Sequence, residues 1–236
     1  MRNLFLTILF LIAFCVSSFA TWSIIVVDPK TKEIGIAGAS CTVSVYGVGR
    51  IMPGKGAIVV QAMSNAFARL QGFKMIMNGD TPGAILEKLR EPQYNPEEQQ
   101  YAIVCMNDIE HPATYTGTKT TSHAGTITGN GISVQGNTLT NDDELQAIFD
   151  AAVKAKKDSL PIQDILMIAL EAGAKTGGDK RCGERKASSA FLTVSKPEDV
   201  EKHWLNLVIY GNDDHTHAVE ALRRKFDDWK VQQKSK

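Results

Sequence analysis

The sequence has no C-x-x-C pair and no H-x-x-x-H pair, the spacings on which most zinc sites are built. It therefore gives no reason to expect a metal or any other cofactor. It has no charge excess either, with 26 basic residues against 26 acidic ones. A nucleic-acid binder leaves a basic footprint, and this chain has none. No G-x-S-x-G occurs, so the serine elbow of the α/β-hydrolases is missing. Beyond the first twenty residues no apolar run is long enough to span a bilayer. There is also no repeat, no low-complexity tract and no linker. A single domain is the reading that remains.

The first twenty residues are different. Arg2 precedes the apolar run Leu4 to Val16, and the segment closes on Ser18-Phe19-Ala20. Small residues at the last and third-last positions, after a run too short for a membrane span, describe a cleavable signal peptide over 1–20. The expectation is an exported protein, periplasmic or extracellular, whose mature domain is 21–236 and is not inserted in a membrane. Two alternatives compete: an uncleaved anchor, and a lipoprotein cut before Cys15. The second is disfavoured by the bulky Phe14, which stands where such sites need a small residue. Either one would keep Thr21 inside the chain.

Cleavage after Ala20 would make Thr21 the first residue, at the head of the β-branched run T-W-S-I-I-V-V. Its free α-amine would then sit beside its own hydroxyl. That pairing of base and nucleophile in one residue is the arrangement of the N-terminal-nucleophile hydrolases. An α-amine has a pKa of about 8, so part of it is neutral near neutral pH and can accept the hydroxyl proton. Some residue must follow any cleavage site. What singles this one out is a strand beginning at once, with none of the loose tail common at termini.

Asp28-Pro29-Lys30-Thr31 turns the chain, and Glu33 to Ser40 returns as a second strand. The hairpin places Ser40 and Cys41 at the level of Thr21. Cys41 to Pro53 reads as a loop and Gly56 to Met63 as a strand covered on both faces. Ser64 is positioned to cap a helix over 65–78, and Thr81-Pro82 starts another that runs to about Arg90. A strand at Gln99 to Met106, its partner at Ala113 to Thr116, and two short strands to Gln135 follow. Helices over 142–157 and 162–175 come next, then strands at 187–195 and 204–210, and a closing helix over 216–231. Runs of strands twice interrupted by paired helices predict an α+β fold, a four-layer αββα sandwich.

Gln135-Gly136-Asn137 ends a strand with two side-chain amides that could donate to an oxyanion; a tight turn is the alternative reading. Gly177-Gly178-Asp179-Lys180-Arg181 places an acid and two bases on a glycine loop. Asp179 could orient the Thr21 amine, and Lys180 and Arg181 could hold an anionic substrate group. The same residues also read as a helix stop followed by solvated charges. Ser40 is a substrate-binding candidate through its nearness to Thr21. In an oxidising compartment Cys41 and Cys182, both in Gly/Ser-rich stretches, are candidates for a disulfide. Cys105 lies in an apolar strand as a core thiol.

These residues fall into segments that resemble a known bacterial family: T-W-S-I-I-V-V-D-P at Thr21, A-G-A-S at Ala37 and P-G-K-G-A-I-V-V-Q-A at Pro53. To them are added V-Q-G-N at Val134, G-G-D-K-R at Gly177, S-S-A at Ser188 and D-D-H at Asp213. The family is the domain of unknown function DUF1028. The resemblance covers the whole mature chain and implies an Ntn-hydrolase-like αββα sandwich with a threonine at the start of its first strand. Members without a signal peptide begin Met-Thr, where methionine removal would expose the same residue. This sequence departs from the family at Ser188, where the usual Q-S-A run lacks its glutamine. The resemblance supplies no substrate.

The expected function is thus an exported amidohydrolase acting through Thr21 on a small-molecule or peptide amide. The competing reading is a non-catalytic binding or scaffold protein on the same fold. Homo-oligomerisation is left open by the sequence.

Overall fold

The computed structural model describes residues 21–120, 123–211, 215 and 217–235. The expected signal peptide, and Asp213 and Asp214, lie outside the described residues.

Strand β1 (Thr21–Val27) is buried along its whole length. A run of β-branched residues with no polar alternation fits only a strand covered on both faces. It lies between β2 (Ile34–Ser40) and, from much later in the chain, β8 (Ile132–Asn137). After β2 come β3 (Gly49–Met52), β4 (Gly56–Ala62), helices α1 (Ala66–Asn78) and α2 (Pro82–Leu89), β5 (Gln99–Cys105), β6 (Ala113–Thr116) and β7 (Gly125–Gly129). Beyond β8 are α3 (Glu144–Lys157), α4 (Ile162–Thr176), β9 (Ser189–Ser195), β10 (Leu205–Ile209) and α5 (Ala218–Lys234). The strands form a six-stranded sheet in the order β10-β9-β2-β1-β8-β7 and a four-stranded sheet in the order β3-β4-β5-β6. Every pairing between these strands is antiparallel. The fold is α+β.

Alternation along β1 decides which residues meet which neighbours. Trp22, Ile24 and Val26 pack with Ile148 of α3, Leu166 and Leu170 of α4, and Leu222 and Phe226 of α5. Ile25 and Val27 pack the other way, with Val59 of β4 and Ala102 and Val104 of β5. A third cluster joins Ile58 and Ile103 to Ile76 of α1 and Ile85 and Leu89 of α2. Trp22 is fully buried and its indole N–H donates to the Leu170 carbonyl at 3.3 Å. Gly173 makes that contact possible, because a Cβ there would lie 2.6 Å from the indole nitrogen. The residue next to Thr21 is therefore anchored to α4.

Two local expectations are corrected. The segment 41–53 is not loop throughout, since Gly49–Met52 pairs with β4. Burying Ile51 against β4 favours pairing over the loop that the flanking glycines suggest. The cap of α1 is Asn65, not Ser64: its Oδ1 accepts from the Phe67 and Ala68 amides. Ser64 instead takes a left-handed backbone, φ 52°, and its hydroxyl donates to the Val60 carbonyl.

Candidate active site

Thr21 stands opposite Ser40 on one side and Asn137 on the other. All three side chains belong to the face of the large sheet that meets β4 and β5. Thr21 is 3% exposed, and its hydroxyl lies 3.3 Å from the Ser40 hydroxyl. It forms part of the wall of a cavity of about 300 Å³, with Tyr46, Gln61, Ala62, Ser64 and Arg69 among the other lining residues. Ala62 and Ser64 hold positive φ without being glycines, at 67° and 52°. Backbone in that region costs on the order of 1–3 kcal/mol per residue and tends to gather at functional sites.

Beneath Thr21 the space between the sheets turns from apolar to polar. The Ser23 hydroxyl donates to Gln61 Oε1 at 2.6 Å, while Gln61 Nε2 donates to the Thr21 carbonyl and to Gln100 Oε1. Gln100 Nε2 in turn reaches Thr116 Oγ1 and the carbonyls of Gly125 and Gly136. Gln61 and Gln100 are both fully buried. A network so nearly satisfied fixes the separation of the two sheets at this end. Sequence reasoning misses both glutamines: Gln61 sits inside an apolar strand run, where an amide is the signal available, and Gln100 follows Glu97-Glu98-Gln99 at the start of a strand and reads as part of a polar stretch.

The residues expected from sequence divide. Gln135 lies two residues below the level of Thr21, facing Ser23, and both ends of its amide are engaged: Nε2 donates to Ser23 Oγ, and Oε1 accepts from Ser133 Oγ. It is not part of the cavity wall. Asn137 is closer. Its Nδ2 donates to Gln100 Oε1 at 3.3 Å and its Oδ1 has no partner among the described residues, but it is fully buried and, like Gln135, is not part of the cavity wall. Asp179 does not reach Thr21. Its carboxylate accepts from the Cys41 amide at 2.6 Å and from the amide, Nε and Nη2 of Arg181. Lys180 is exposed, and neither it nor Arg181 lines the Thr21 cavity. Cys41 and Cys182 are bonded to each other. The hydroxyls of Ser188 and Ser189 donate to carbonyls at the end of β2 and just beyond it. Lys55 caps the far end of α1 through the Met77 carbonyl.

The Gly177–Arg181 segment thus holds the chain at Cys41, one residue beyond Ser40, through a fully buried carboxylate as well as a disulfide. Removing one partner of a buried pair leaves the other uncompensated, typically at about 3–5 kcal/mol. Because the Arg181 side chain keeps 31% of its surface in solvent, Asp179→Ala should cost near the lower end, about 3 kcal/mol. Urea denaturation measures it. A cost below about 1 kcal/mol would show that the disulfide alone holds this junction.

An α+β protein of two antiparallel sheets, with a threonine at the head of a central strand and a cavity beside it, is the class these features define. The chain belongs to the family of unknown function DUF1028, whose model matches residues 21–222. Its fold is similar to that of protein SPO2555 from Silicibacter pomeroyi, a crystal structure assigned to the same family. The TM-score is 0.74 at 23% identity, over 89% of this chain and 85% of that one. No curated protein matches.

Proposed function

We propose that this protein is an exported N-terminal-nucleophile amidohydrolase, and that its sheets and helices form the four-layer αββα sandwich of that class. The observation that carries the reading is the position of Thr21: strand-initial, in the middle of the large sheet, with its side chain on a cavity wall. The family match also begins at Thr21, the residue that cleavage after Ala20 would expose.

In the proposed reaction the freed α-amine takes the Thr21 hydroxyl proton as Oγ adds to the amide carbonyl carbon. The tetrahedral oxyanion collapses, the C–N bond breaks, and the leaving nitrogen receives that proton. Water then adds to the acyl ester, giving up its proton through the same amine, and the acid departs with Thr21 restored. Of the two amides, Asn137 rather than Gln135 is level with Thr21, and its Oδ1, without a partner among the described residues, suits an N–H of the freed amine. Ser40 supports the nucleophile's rotamer through its hydroxyl. Asp179 acts one step away, by fixing the backbone at Cys41.

The first test is the intact mass and N-terminal sequence of the exported protein. The expected result is a single species starting at Thr21 with an unblocked amine, which an electrophilic amide probe then labels at that residue alone. Any other start leaves the hydroxyl without its base. A correct start with no labelling at any pH turns the reading to a binding protein on the same fold.

A further inference from the structure

Beside the Thr21 cavity lies a larger one, about 480 Å³, and the two share Tyr46, Gly47 and Arg69 as common wall. Arg50 enters it from β3 and Arg69 from α1. Phe73, one turn beyond Arg69, has its ring 5.5 Å from the Arg50 guanidinium carbon. Phe191 and His203 also line it. Among the described residues no aspartate or glutamate lines either cavity. The arginines ion-paired among the described residues are Arg181 and Arg223, not Arg50 or Arg69. Arg69 is half-buried; one of its terminal nitrogens donates to Ser64, and its other N–H groups meet no acceptor among the described residues.

Two guanidinium groups facing one cavity repel each other, and burial makes that repulsion worse. Both effects act on Arg69, whose pKa is lowered first by burial and then by Arg50. An anion bound between them would remove the penalty, and a carboxylate matches the planar fork of arginine. The aromatic rings alongside offer an apolar wall for a side chain next to that carboxylate.

We infer that this second cavity is a carboxylate subsite, and that the molecule bound across the two cavities is an acylated amino acid. Its amide carbonyl lies toward Thr21 and its α-carboxylate toward Arg50 and Arg69. The bond broken depends on the Thr21 reading, but the binding does not.

The test is equilibrium binding to the mature protein carrying Thr21→Ala, by calorimetry at constant ionic strength. The probes are N-acetyl-phenylalanine, its neutral carboxamide, and acetyl-Ala-Ala-Phe with a free carboxylate. A charge-assisted hydrogen bond contributes about 1.5–3 kcal/mol, so the acid should bind about ten- to a hundredfold more tightly than the carboxamide. Arg69→Gln, and separately the exposed Arg50→Gln, should erase most of that preference without altering the circular dichroism spectrum. Tighter binding of the tripeptide than of the single residue would identify a peptide C-terminus as the ligand; the reverse order, a small N-acyl amino acid. Equal binding of acid and carboxamide, no binding of either, or a preference that survives both substitutions would overturn the inference. A carboxylate preference in a protein whose Thr21 takes no electrophilic probe would leave the subsite standing and remove the hydrolase reading alone.

Discussion

Thr21→Ala should abolish turnover and still yield a folded protein. Alanine removes the only oxygen that the proposed reaction can acylate while preserving the start of β1, and it leaves a small residue after Ala20 at the expected cleavage site. The structural loss is one long hydrogen bond to Ser40, about 0.5–1.5 kcal/mol. The kinetic loss is of another order. Deleting the nucleophile of a hydrolase that acts through an acyl intermediate lowers kcat by roughly a millionfold. Thr21→Ser keeps the hydroxyl and the amine, so it should retain measurable activity. Wild-type acylation should rise with pH and level off above about 8, where the α-amine is neutral and can act as base. Single-turnover acylation across pH, with melting temperatures on the same samples, gives both readings. An alanine variant that still hydrolyses the wild-type substrate would remove Thr21 from the mechanism.

What the sequence makes legible is the local geometry of the first hairpin. A turn at Asp28-Pro29 with strands of matched length puts Ser40 opposite Thr21, and the register does so. Helix boundaries are legible where proline or a threonine cap marks them, as at Thr81-Pro82. What stays hidden depends on contacts between segments distant in the chain. Gln61 looks misplaced in an apolar strand, and Gln100 looks like one more polar residue after Glu97-Glu98-Gln99, until β4 and β5 are laid beneath β1 and the two amides meet. Nothing in the sequence singles out Arg69 on its helix, and β3, which reads as loop, brings Arg50 to the same cavity. Gln135 and Asn137 look equivalent on one strand. A two-residue step along β8 pairs one with Ser23 and sets the other level with Thr21, and both join the interior network. Asp179 is legible as an acid on a glycine loop. Its actual acceptor role at Cys41 comes from a pairing across 138 positions that no local pattern encodes.

The loop carrying Asp179 rests on another acid, Glu144, which no motif singles out. Glu144 is fully buried at the start of α3, and among the described residues neither carboxyl oxygen has a partner in good hydrogen-bonding geometry, the Gly178 and Thr140 amides being near it but not well placed. Burial pushes its pKa up to about 8, the Gly178 and Thr140 amides offset part of that, and the Asp179 charge adds to it. The folded state therefore keeps this proton across a pH range in which the unfolded chain, titrating near the ordinary 4.5, has released it. Stability from this group is fully present below about pH 4.5 and is lost as pH rises through about 8. Within that window one proton changes stability by about 1.4 kcal/mol per pH unit. Glu144→Gln has nearly the same shape and does not titrate. The variant should match wild type near pH 4.5 and exceed it increasingly above, by up to about 5 kcal/mol at pH 9. Urea unfolding of both proteins at several pH values isolates the group, because every other titration is common to the two curves. Curves that run parallel from pH 4.5 to 9 would mean that the carboxyl titrates normally in the fold. Divergence would show that the fold holds Glu144 protonated, chiefly because it is buried, and that ionising it destabilises the fold on the alkaline side, where the Thr21 amine is most active as a base.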